Sequence, residues 1–132
     1  MNTAESNAID GVTGVRTRTF TTAERNLNWL QIDFGREIDS IKFVTVVKRR
    51  TDLAERFRNV EFRIGNTPVA AGFGLQDLSS VGNPTCGFVS GGNTDYVETV
   101  VCSSQLDGRY LTLQNTATAF LELDEIFIGV AS

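Results

Sequence analysis

The chain contains no histidine, and this absence excludes more chemistry than any residue present suggests. Ser-His-Asp and Cys-His catalysis go with it, as does zinc held by imidazole. Cysteine is scarce: Cys86 and Cys102 stand alone, and two thiolates do not complete a zinc sphere. They can pair or remain buried thiols. Pairing is favoured, because both sit beside loop segments of a chain whose composition looks extracellular. Long hydrophobic runs are lacking too, and none approaches the roughly 20 residues of a transmembrane helix. The opening "MNTAESNAIDG" has no apolar signal-peptide core, so a secreted form would have lost its signal or come from a larger parent. Positive charge is in the minority. With 12 Lys and Arg against 16 Asp and Glu, the net charge of −4 argues against generic nucleic-acid binding. No nucleophile–base pair or pair of catalytic carboxylates can be named, so no enzymatic activity is expected.

What is present reads as strands and turns. The 132 residues fit one domain spanning 1–132, with neither internal repeat nor low-complexity tract. That length can bury a core without obligatory disulfides. In "NWLQIDFG", Leu30, Ile32 and Phe34 alternate with Trp29, Gln31 and Asp33. "SIKFVTVV" carries β-branched residues on both faces, as in a strand covered on both sides. "NVEFRIG" alternates most cleanly, with Val60, Phe62 and Ile64 on one face. "DYVETVVC" and "RYLTLQN" follow as separate strands, with "LDG" as the turn between them. In "FLELDEIFIGV" the phase changes between Leu121 and Leu123 on one side and Ile126, Ile128 and Val130 on the other. A β-bulge near Asp124-Glu125 would repair it. One helical turn is expected in "TDLAERF", capped by Thr51 or Asp52. "VAAGFGLQDLSSVGNP" and "VSGGNTD" read as loops. Many short strands separated by turns predict an all-β sandwich or barrel.

The order of these segments resembles the F-type lectins (fucolectins) and, more loosely, the discoidin or coagulation-factor C domains. "NAIDG", "NWLQIDFG", "RTDLAERF", "VEFRIGN", "NPTC" with "VVC", "GRYLTL" and "LELDEIFIG" follow the family's order along nearly the whole chain. The resemblance implies a galactose-binding-like jelly-roll β-sandwich, with "NPTC" and "VVC" corresponding to a disulfide segment. In that family a histidine and two basic residues hold fucose. Carried over, Arg50 and Arg56 are the basic residues, and Asp52 orients them. A guanidinium fork can donate two hydrogen bonds to adjacent hydroxyls. The chain departs from the pattern in several places. Arg56 arrives one residue early, Leu53-Ala54 replace a vicinal cysteine pair, and Arg18 and Asp124 stand where a further disulfide would lie. The histidine's place falls near Phe20 or Thr21, so Phe20 would offer ring stacking instead of a hydrogen bond. The family's calcium ligands map to Asn7, Asp10, the Val12 carbonyl, a hydroxyl near Thr17, Asp124 and Glu125. Ca2+ takes six to eight oxygen ligands, and this is an oxygen-rich set. The bulge inferred at Asp124-Glu125 would turn Glu125 toward it.

Between Lys48 and Gly65, five arginines and a lysine crowd one short stretch. Three readings compete for it. Asp52 and Glu55 can pair with Arg50, Arg56 or Arg58 on a solvated rim, for roughly 0–1 kcal/mol each. Arg50 and Arg56 can bind a neutral sugar. Lys48, Arg49, Arg50, Arg56 and Arg58 can form a patch for an anionic glycan. Trp29 reads as core, with its N–H satisfied nearby. The expected function is an extracellular, secreted carbohydrate-binding module with calcium, acting on a glycan or glycoprotein, as a homo-oligomer or within a larger assembly. The alternative is a structural or cell-adhesion module that has lost sugar binding and meets protein partners.

Overall fold

Strict hydrophobic alternation becomes strand wherever it occurs. Val60, Phe62 and Ile64 are fully buried while Glu61 and Arg63 between them are half-buried on the opposite face. Each such apolar side chain contributes about 1.5–3 kcal/mol by leaving water. The computed structural model describes residues 6–7, 12–20, 26–48, 57–70, 72–92, 95–118, 121 and 123–131. For 6–7, 12–20, 123 and 124 it describes the backbone alone. The strands are β1 (Ser6–Asn7), β2 (Val12–Phe20), β3 (Trp29–Lys48), β4 (Arg58–Gly65), β5 (Thr85–Gly91), β6 (Val97–Asn115) and β7 (Leu123–Val130). All the pairings are antiparallel, in the order β1-β2-β7-β3-β6-β4-β5.

Two strands are long enough to belong to both layers of a sandwich. The first part of β3, 29–33, pairs with 110–114 of β6, which pairs in turn with β4 and through it β5. The second part of β3 pairs with 97–101 of β6 on one side and with β7 on the other, and β7 leads to β2 and β1. Between the layers lies one core, with Leu30, Ile32, Val44, Val46, Phe62, Val100, Leu111, Leu113, Ile126 and Ile128 among its members. This is the jelly-roll β-sandwich expected from the sequence.

The corner corrects the sequence reading. "NWLQIDFG" and "SIKFVTVV" are one strand, as are "DYVETVVC" and "RYLTLQN", and "LDG" is a bend within β6. Register shifts between Asp33 and Phe43 absorb the bend. Gly35 and Ser40 adopt φ of 83° and 58° there, and the Ser40 N–H donates to Asp107 Oδ1 at 2.7 Å. Gly108 is required by close approach: a Cβ would stand 2.6 Å from the Gly65 nitrogen. Strand propensity in both halves wins over local turn residues, because each half is paired on the far side of the corner. The Arg109 fork also ties it, with Nε 2.7 Å from Asp33 Oδ1 and Nη2 3.0 Å from Oδ2.

Other expectations meet the structure directly. Cys86 on β5 and Cys102 on β6 form a disulfide. The β7 bulge is where the phase change placed it: Val47 pairs with Glu125 but Lys48 pairs with Leu123, so Asp124 is the extra residue. In "SIKFVTVV", Val44 and Val46 are buried, whereas Phe43, Thr45 and Val47 are half-buried on the outer face. The segment "TDLAERF", apart from Phe57, lies outside the described residues.

The glycine-rich loop between β4 and β5 is a lid rather than a free connection. It lies on the outer face of the first layer and buries Trp29, Val69 and Leu78 in a second small cluster. Polar side chains of the sheet fasten it. Trp29 Nε1 donates to the Gly74 carbonyl at 2.6 Å, and Gln31 Oε1 accepts from the Val69 N–H at 2.6 Å. Gln114 Oε1 accepts from the Leu78 N–H at 2.9 Å, and its Nε2 donates to the Gln76 and Leu27 carbonyls. Trp29 is core, as its sequence context implied, and Gln31 and Gln114 are buried with it.

Two measurements check this account. The disulfide closes a sequence separation of 16 residues. Replacing both cysteines by serine is expected to remove roughly 3 kcal/mol of unfolding free energy, read by urea denaturation. The second concerns acid. The Arg109 N–H groups hold the Asp33 carboxyl below its ordinary value of 3.8, assisted by the Gly35 N–H and opposed by burial. Since the folded value is the lower one, this contribution is present above pH 3.8 and is lost as pH falls through the depressed value. Asp33→Asn is therefore expected to be less stable than wild type at pH 7 and to lose that difference in acid. Because the pair is partly exposed, the difference is small.

Candidate functional site

The basic loop expected to grip ligand has both of its feet fixed. Arg50, Asp52 and Arg56 lie outside the described residues, but Lys48 before them and Phe57 after them are both fully buried. Lys48 corrects the reading of a surface patch. Its Nζ is 2.8 Å from Glu98 Oε1 and lies 5.8 Å from the centroid of the Phe57 ring. A buried ammonium is retained only with a carboxylate and hydrogen bonds around it, so Lys48 anchors the loop and does not present charge to a partner. Lys48 shares the buried face of β3 with Val44 and Val46, and its Glu98 partner comes from β6.

Other connections gather at the same end. The Lys48 N–H donates to the Tyr96 carbonyl at 2.8 Å, and the Gly92 N–H donates to the Phe57 carbonyl at 3.1 Å, so Tyr96 and Gly92 each sit beside one of the feet. Arg58 reaches the Thr118 carbonyl at 3.5 Å, and the Thr116 N–H donates to the Asn59 carbonyl at 2.6 Å, which brings in the β6–β7 connection. Reciprocal backbone bonds, Leu27 to Asn115 and Asn115 to Asn28, add the entry to β3. Phe20 ends β2 opposite Leu123, and Leu123 faces Lys48 on its other side. Phe20 thus lies two strands from the foot of the basic loop, about 10 Å away at the usual strand spacing. Tyr96 was missed by the sequence reading. It is 41% exposed and stands at this end on the strength of its bond to Lys48. Its signal was an aromatic just before a strand and just after a glycine-rich turn.

The calcium set divides. Thr17 belongs to the bulged part of β2, between the Arg16–Glu125 and Phe20–Leu123 pairs, and therefore lies beside Asp124 and Glu125. Val12 pairs with Gly129, four residues along the strand from Glu125, or about 13 Å. Asn7 pairs with Gly14, and Asp10 lies outside the described residues. Among the described residues no three His, Cys, Asp or Glu side chains converge on a metal position. The backbone thus brings Thr17 to the bulge and places Val12 farther along the same strand pair.

The architecture is shared with known sugar-binding proteins. An F-type lectin (fucolectin) from striped bass serum superposes with a TM-score of 0.63 at 20% identity, over 86% of this chain. The chain spans only 36% of that protein. A histidine mutant of the lectin-binding domain of lectinolysin, in complex with Lewis b, gives 0.61 at 18%, over 92% of this chain and 72% of its own. A fucose-binding module from Streptococcus pneumoniae gives 0.59 at 15%, over 91% and 70%. No family model matches the chain, and no curated protein matches it in sequence. The chain therefore has the galactose-binding-like fold of F-type lectins and discoidin-like domains.

The ion pair at the loop's foot is open to test. Lys48→Met removes the ammonium beside the partly exposed Glu98 carboxylate and is expected to cost about 2 kcal/mol by urea denaturation, the scale of one lost charge-assisted hydrogen bond. A variant as stable as wild type would show that the pair does not hold this end of the sandwich together.

Proposed function

We propose that the chain is an extracellular carbohydrate-binding module whose ligand meets the loop end of the sandwich. Arg50 and Arg56 would donate hydrogen bonds to adjacent hydroxyls, Asp52 would orient them, and an aromatic at Phe20 or Tyr96 would stack on the ring. The observation that carries this reading is the row Phe20, Leu123, Lys48 across β2, β7 and β3. It brings the stacking candidate and the foot of the arginine loop to the same end. Support of a coarser kind comes from fold neighbours whose ligands are fucose or Lewis b. An anionic glycan is the weaker choice, since Lys48 is withdrawn from the patch. The disulfide suits an oxidising compartment. Among the described residues no helix is long and apolar enough to cross a membrane. Ca2+ belongs to this reading, held at the bulge by Thr17, Asp124 and Glu125, where it would brace the chain behind the binding end.

A second reading has its own observation. The outer face of the second layer exposes Val97 and Val101, at 50% and 72%, beside a Thr45–Thr99 hydroxyl pair. Apolar residues clustered on a sheet surface suit a protein contact. A structural or adhesion module would use that face and ignore sugars.

A glycan array in calcium, and again in chelator, separates the two readings. Binding lost in Arg50→Ala is expected, as is a higher melting temperature in calcium than in chelator. A blank array from folded protein would favour the adhesion reading. Equal melting temperatures would remove the metal.

A further inference from the structure

Away from the basic loop, a polar cleft of about 380 Å³ opens on the outer face of the first layer. Small-molecule sites span roughly 300–1,000 Å³, so it has room for one or two sugar rings. Glu61 and Arg63 form one wall, both on the outward face of β4. Asp77 and Ser79 of the lid form the other, Gln114 lies between them, and Thr116 lies toward the loop end.

These walls are fixed before any ligand arrives. Gln114 is 2% exposed and makes the lid bonds already described. Arg63 Nε donates to Glu61 Oε1 at 2.8 Å and its Nη1 to the Asn83 carbonyl at 2.8 Å, which sets the plane of the guanidinium. A guanidinium has five N–H donors, so more remain than these two bonds use. Asp77 Oδ1 accepts from the Ser79 N–H at 2.9 Å and caps the short 3-10 helix Leu78–Val81. Its carboxyl is held below the ordinary value of 3.8, first by that N–H and then by the Ser79 hydroxyl, so it is ionised at neutral pH. Each carboxylate oxygen can accept more than one hydrogen bond. The cleft therefore presents fixed donors facing fixed acceptors, which is what a pair of neighbouring hydroxyls needs.

An aromatic stands on the same face, one strand beyond the Glu61 wall. Phe88 on β5 is 51% exposed and pairs directly with Glu61, which pairs on its other side with Gln114. Directly opposed residues share a face with Cβ atoms about 4.5–5.5 Å apart, so Phe88 stands on the cleft's face of the sheet, one strand beyond Glu61. A half-exposed phenylalanine beside a polar cleft has no evident use in folding.

We propose that this cleft is a second ligand site that takes a neutral pyranose, with its hydroxyls between Arg63 and the Glu61 and Asp77 carboxylates and its apolar face against Phe88. Two carboxylates against one guanidinium, itself paired with Glu61, repel an anion. Because the walls are pre-set, little ordering is needed on binding. None of these residues belongs to the 49–56 segment, so the site stands apart from the function proposed above.

The test uses the full ¹⁵N-labelled chain carrying Arg50→Ala, in chelator, titrated separately with galactose, glucose and mannose to about 100 mM, a range that detects weak binding. Saturable shifts at the Ser79 amide, the Gln114 side-chain amide and Arg63 Nε–H are expected with at least one sugar. Adding Phe88→Ala is expected to weaken binding about tenfold, the scale of one lost aromatic contact. Asp77→Asn is a second probe, because asparagine keeps the cap while removing the charge. No saturable shift with any of the sugars overturns the proposal, and so do shifts that neither variant changes. Array binding that depends on Arg50, with a silent cleft, leaves the loop site standing and removes this one. Cleft shifts with a blank array do the reverse.

Discussion

The structure depends on one ribbon, β3 paired with β6, which turns a corner and so belongs to both layers. Everything else hangs from it. β4 and β5 extend one end of the ribbon, and β7, β2 and β1 extend the other. The corner works because its polar backbone groups find partners as the register slips, and because Gly108 lets two backbones touch. The disulfide then joins β5 of one layer to the β6 segment that runs in the other, beside the contact of Gly87 with Val100. A corner held in this way makes the relative placement of the layers a covalent and steric matter, not one of hydrophobic contact alone.

From that constraint follow two surfaces with different physics. At the loop end, connections meet around the buried Lys48, Phe57 and Asn115, so exposed groups there are carried on a rigid base. Loops on a firm scaffold are where recognition usually resides. On the outer face of the first layer, the lid covers Trp29 and leaves a polar cleft beside it. Gln114 serves both, since its amide fastens the lid and floors the cleft. Buried polar side chains of this kind are costly unless satisfied, and here each named bond goes to a lid carbonyl or N–H, or to the Leu27 carbonyl at the entry to β3.

The charge of the basic stretch is also divided by burial. Lys48 goes inward to Glu98, Arg63 lies flat between Glu61 and Asn83, and Arg58 reaches Thr118. A stretch that reads as one cationic run is, in three dimensions, several unrelated jobs. Its charge therefore cannot be summed into a single field for a distant anion.

Alternation of apolar residues by itself determined the strands, their inward faces and the sandwich class, because a period of two can bury only one face of a sheet. The phase slip between Leu123 and Ile126 determined the bulge at Asp124 for the same reason. The resemblance in segment order determined the fold family, and it drew attention to Arg50, Asp52, Arg56 and Phe20 without fixing what they bind. Only the tertiary structure decided that paired segments are continuous strands around a corner, since a bend and a turn use the same residues. Only it decided that Lys48 is buried and that Gln31 and Gln114 are covered by a lid, since burial of a polar side chain depends on partners distant in sequence. It alone placed Phe88 beside Glu61 and Phe20 near Lys48, because strand register is a long-range contact that no local pattern encodes.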